Sequence, residues 1–124
     1  MLPTLMLPET VTRQDGASPG VALENRTRLV QLTLGITRIL EQESLEVSIW
    51  GSADQHEWRK IAAFPQKFYC GVYPLLVDLR HDADVGYLRA EWKMGRWGND
   101  EPAPLFGFYL RAEEGRLAHH ASAS

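Results

Sequence analysis

Two short runs of the chain place metal-binding side-chain types close together: Asp54, His56 and Glu57 in one, and His81, Asp82 and Asp84 in the other. Carboxylates and imidazoles of this kind hold divalent cations, but a zinc site needs paired ligands at set spacings and an EF-hand needs a glycine-marked loop. Neither run has either pattern. Both read as polar turns in which aspartates bond nearby backbone amides, so no metal and no cofactor is expected. His119 and His120 lie near the chain end, where coordination demands a partner from elsewhere. Nucleophilic chemistry has less support still. Cys70 sits between aromatic residues in KFYCGVY, and free cysteine is among the most buried residue types, so a structural place inside the fold is expected for it. Ser44, Ser48 and Ser52 lack a Gly-x-Ser-x-Gly setting, and no glycine pattern of the phosphate-cradling kind occurs. The expectation is a protein that is not an enzyme.

The aromatic residues carry more information. The stretch WKMGRWGND, Trp92 to Asp100, sets two tryptophans around Lys93 and Arg96 and supplies two glycines at which the chain can bend. Trp50 falls on the polar side of its own segment, beside Glu46 and Ser48. A flat apolar ring with a polar edge stacks on sugar faces and anchors protein interfaces at low entropic cost. Trp50, Lys93, Arg96, Trp97 and Asn99 are therefore the candidate ligand-binding residues. Trp50 and Trp97 each have a structural alternative, because a loop tryptophan also folds back to cover the end of a sheet.

The segments that must position these residues alternate with a period of two. Val30, Leu32, Leu34 and Ile36 alternate with Gln31, Thr33 and Gly35, and Leu45, Val47 and Ile49 with Glu46, Ser48 and Trp50. Residues 26 to 43 also allow a helical reading through Leu29, Leu32, Ile36 and Ile39, but Val30 and Leu34 would then face water, and strand is favoured. Further strands are expected over Trp58 to Phe64, Val72 to Leu79 and Tyr87 to Met94, and around Phe106, Phe108 and Leu110. In the Tyr87 strand, Leu88, Ala90, Trp92 and Met94 share one face and Tyr87, Arg89, Glu91 and Lys93 the other. Many short strands with no convincing helix predict an all-β fold of two packed antiparallel sheets. The expected organisation is an N-terminal arm over 1–6, a β-sandwich domain over 7–114 and a C-terminal tail over 115–124.

From Leu45 onward the order LEVSIWGSADQHEWRKIAAF, VDL, VGYLRAEW and PLFGFYLRAE resembles discoidin-like domains, also called galactose-binding-like or coagulation factor type C domains, over roughly 45–112. The matching pieces are a strand running into Ser52-x-Asp54, a tryptophan at 58, and the strand Tyr87-Leu88-Arg89. The family completes its Ser-x-Asp turn with glycine, where this chain has Gln55. An Asp-rich calcium segment and a disulfide between the termini have no counterpart here. The resemblance implies a sandwich of jelly-roll type and, by analogy, non-catalytic binding.

Composition narrows the partners. A net charge of -3, from 13 Lys+Arg and 16 Asp+Glu, exerts no general pull on a polyanion, so nucleic acid is not expected. Neither a signal peptide nor a membrane-spanning run is expected: MLPTLMLPET has no basic n-region, and the apolar segments are soon interrupted. The location expected is cytoplasmic, or within a particle assembled inside the cell. Two functions follow as expectations. The first is a binding or adhesion module that recognises a glycan or protein ligand. The alternative is a structural subunit that self-associates into a virion, particle or larger assembly, with the proline-containing N-terminal arm lying along a neighbour.

Overall fold

The computed structural model describes residues 4–12, 14–23, 28–39, 43–67, 69–96 and 106–115. Among them run nine strands: β1 (Thr4–Thr12), β2 (Gly16–Ala17), β3 (Val21–Ala22), β4 (Leu29–Ile39), β5 (Glu43–Ser52), β6 (Arg59–Ala63), β7 (Gly71–Asp78), β8 (Tyr87–Arg96) and β9 (Phe106–Glu114). The first sheet has the order β1-β9-β4-β7 and the second β2-β8-β5-β6, with β3 also on β8. All the pairings are antiparallel, and the chain is an all-β sandwich. Among the described residues no helix is long and apolar enough to cross a membrane.

The pairing is nested. β5 pairs with β6, β4 with β7, β2 and β3 with β8, and β1 with β9, so the chain runs out and back as one long ribbon. Folding that ribbon over brings β4 beside β9 and β5 beside β8. This is the jelly-roll arrangement, with β9 and β4 central in one sheet and β8 and β5 central in the other.

Alternation accounts for what each strand buries. On β4, Val30, Leu32 and Leu34 have no exposed surface, which excludes the helical reading that would have turned Val30 and Leu34 outward. They meet Phe106, Phe108, Leu110 and Ala112 of β9 within the first sheet. Leu45, Val47 and Ile49 of β5, with Leu88 and Ala90 of β8, close the core from the second. On the outer face of the first sheet Gly35 stands opposite Tyr109, whose ring occupies the place a Cβ would take. The glycine thus lets the ring lie flat over the strand. Gly16 does the same for Trp92 of β8, which also makes a T-shaped contact with Phe108 at 5.3 Å between ring centroids.

β1 takes in Thr4 to Met6, part of the segment assigned above to an arm, and buries Met6. Its pairing with β9 slips on both sides of Leu7, beside Pro8, which has no N–H to give to a ladder. Cys70 corrects the expectation of a structural, interior thiol, for it is exposed. It precedes β7 in a connection where the Tyr73 hydroxyl donates to the carbonyls of Tyr69 (2.6 Å) and Cys70 (3.4 Å). The tyrosine holds the backbone of this connection and leaves the thiol outside.

Candidate functional site: a groove on the outer face of the second sheet

Strands β5 and β8 turn their apolar alternates inward and so must turn Glu46, Ser48 and Trp50, with Arg89, Glu91 and Lys93, outward. The register aligns these outward residues in rows. Ser48 lies opposite Glu91 on one side and Ala63 of β6 on the other, and Glu91 lies opposite Ala17 of β2. Ala17, Glu91, Ser48 and Ala63 therefore form one row across four strands, and three of the four side chains are small. The next row is Arg89, Trp50 and Lys60, with a bulge in the β5–β6 pairing that brings Lys60 rather than Ile61 opposite the tryptophan. A third row sets Lys93 against Glu46. Larger side chains around a floor of small ones leave an open groove of about 900 Å³.

Internal hydrogen bonds orient its walls. The Trp50 indole N–H donates to Ser48 Oγ at 2.9 Å, tying the half-buried ring along β5 toward the floor. Arg89 donates to Glu91 Oε2 at 2.7 Å, and its guanidinium lies 4.5 Å over the ring of Trp58, so a cation–π contact fixes the group that holds Glu91. Gln66 donates its amide to Glu46 Oε2 at 3.1 Å and to Ser44 Oγ at 3.0 Å. At the far side the Asp15 carboxylate accepts the backbone N–H of Met94 at 2.8 Å, and Gln14 accepts the indole N–H of Trp92 at 3.0 Å.

Of the residues singled out from sequence, Trp50 and Lys93 line this groove together. Arg96 is the last residue of β8, opposite Glu43. Trp97 and Asn99 lie outside the described residues. Lys60, Gln66, Ala17 and Ala63 went unnoticed because only the register places them beside Trp50. The outward alternation of β8 was legible and contained Glu91, but nothing local pairs it with Ser48.

The aspartates of the two polar clusters bond other groups. The Asp54 carboxylate accepts the backbone N–H groups of His56 (2.8 Å) and Glu57 (3.1 Å) and the Ser52 hydroxyl (3.1 Å), which together hold it below its ordinary value of 3.8. Asp82 and Asp84 clasp Arg59 at 2.9 and 2.8 Å, and Arg28 donates to the carbonyls of Asp82 and Val85. Gln55 completes the Ser52 turn with φ of 66°, the left-handed conformation for which glycine is suited. A non-glycine residue there costs about 1–2 kcal/mol, against roughly 0.5–1 for the extra chain entropy of glycine. Gln55→Gly should therefore raise stability by up to about 1 kcal/mol in urea melts. A fall instead would show that the Gln55 side chain, which packs over Gly20, matters more than the backbone strain.

These carboxylates should also make this end of the sandwich sensitive to acid. Hydrogen bonds from the backbone lower Asp54, and the Arg59 guanidinium lowers Asp84, so each contributes stability above about 3.8 that is lost as pH falls through its lowered value. Urea midpoints should be lower at about pH 3 than at about pH 7, and Asp54→Asn with Asp84→Asn should shrink that difference. An unchanged difference in the double variant would place the acid sensitivity elsewhere.

Compared with known protein families and characterised proteins, the chain matches none.

Proposed function

We propose that the domain is a non-catalytic module that binds a glycan in the groove over β2, β8, β5 and β6. The observation that supports this most is the row Ala17, Ser48 and Ala63 beside Trp50: a shallow floor with one large ring at its edge suits the flat, largely apolar face of a sugar. Glu46, Glu91, Gln66, Lys60 and Lys93 surround the floor with acceptors and donors for hydroxyl groups. The resemblance to discoidin-like domains agrees in kind. Catalysis by the two glutamates has little in its favour. A general acid needs a carboxyl shielded from water, whereas Glu46 is exposed and both groups are already held by internal donors. A glycan array followed by calorimetric titration tests the reading, with binding of at least one oligosaccharide class expected. Binding of none by the intact protein would count against it.

One feature favours self-association as a second reading. Val72 and Leu76 on the outer side of edge strand β7 are 65% and 38% exposed, with Pro74 exposed between them. Pro74 opposes edge-to-edge pairing, since proline has no N–H to offer a neighbouring strand, so any such contact uses the face of the strand. Thr4–Thr12, meanwhile, is spent within its own sheet, on β9. Light scattering that finds an oligomer dispersed by Val72→Lys would favour this second reading over the first.

A further inference from the structure

Taking the groove as the glycan site, we infer that its ligand is an acidic oligosaccharide with carboxylates on some, not all, of its rings. The acids and bases lining the groove differ in how far they are already engaged. Glu91 is paired with Arg89, Glu46 accepts from Gln66, and Asp15 accepts the amide of Met94. Lys60 and Lys93 are both exposed, line the same groove, and form no ion pair among the described residues. The charged groups of the groove that make no ion pair or side-chain hydrogen bond among the described residues are thus the two ammonium groups, and a ligand that satisfies them brings anionic acceptors.

The register sets where those acceptors must be. Lys60 stands opposite Trp50 and Lys93 opposite Glu46, on the two sides of β5 and four positions apart along it. At the usual rise per residue and strand spacing, the two backbones are about 16 Å apart on a diagonal through Ser48. Such a backbone span suits an oligomer better than a single ring. The same groove holds Asp15, Glu46 and Glu91, which repel a ligand charged on every unit, so a dense polyanion such as nucleic acid fits poorly. Neutral rings between the uronates would lie over Ala17, Ser48 and Ala63 and offer hydroxyls to the two glutamates.

The test compares hyaluronan, unsulfated chondroitin and glucuronoxylan oligosaccharides, each with a carboxyl-reduced counterpart of identical rings and linkages, by calorimetric titration. At least one acidic form should bind about tenfold more tightly than its reduced form, as expected for two charge-assisted contacts. Lys60→Gln with Lys93→Gln should abolish that preference by weakening the acidic form far more than the reduced form, with the melting temperature close to wild type. Equal binding of acidic and reduced forms would overturn the inference and leave the groove reading standing. A preference that survives the double substitution would also overturn it, as would equally tight competition by a single-stranded oligonucleotide. If none of these sugars binds, and neutral glycans on an array also fail, both readings fall together.

Discussion

Phe108→Ala should destabilise the domain by about 3–5 kcal/mol, the usual loss for a fully buried aromatic replaced by alanine. Phe108 has no exposed surface, stands opposite Ile36 in the β4–β9 pairing, and makes a T-shaped contact with Trp92 at an interplanar angle of 75°. That contact crosses from one sheet to the other. The substitution therefore leaves a void between the sheets and frees the ring that packs on Gly16, loosening β2 from β8. Set against a typical total of about 5–15 kcal/mol, the loss is a large part of the whole. Thermal denaturation should move down by roughly ten degrees or more. Leu5→Ala is the comparison: Leu5 is half-exposed on edge strand β1, and its removal should shift stability by no more than about 0.5 kcal/mol. Similar melts for the two variants would mean that the sheets do not pack as described.

The second large effect is on binding. Trp50→Ala should weaken glycan binding by at least about 2 kcal/mol, roughly thirtyfold in Kd, because a large aromatic anchor usually dominates a small interface. Stability should change much less than for Phe108→Ala. The Trp50 ring is half-buried on the outer face, and its one hydrogen bond goes to Ser48, a hydroxyl that water can serve in its place. Trp50→Phe separates the two contributions, since it keeps a flat ring and removes the indole N–H; it should recover most of the affinity. Should Trp50→Ala instead melt far below wild type, the ring would be a structural cap, the alternative that its sequence context leaves open.

Strands with several alternating residues were readable because period two reports a buried face directly: Val30 to Ile36, Leu45 to Ile49 and Leu88 to Met94 lie in strands with the expected sides inward. β2 and β3 have only two residues each, too few to show a period, and they are held by pairing to β8 about 70 positions onward in the chain. β1 was obscured by Pro8 and by two register slips that set Met6 and Leu7 both into the interior. The groove illustrates the same limit. Trp50 and the outward side of β8 were visible in sequence, but the floor exists only because Ala17, Glu91, Ser48 and Ala63 fall in one row, and register between distant strands leaves no local trace. Cys70 misled for a different reason: a residue type's average burial does not foresee a tyrosine hydroxyl bracing the turn beneath it.

The groove as the binding site is tested most directly by mapping amide and indole chemical shifts of isotopically labelled protein during titration with the oligosaccharide bound most tightly on an array. The account predicts that the largest changes fall on Ala17, Ser48, Ala63 and Glu91 and on the Trp50 indole N–H, with the buried amides of β4 and β9 unmoved. Changes centred on Val72 to Leu76 of β7, with the outer face of the second sheet silent, would contradict it.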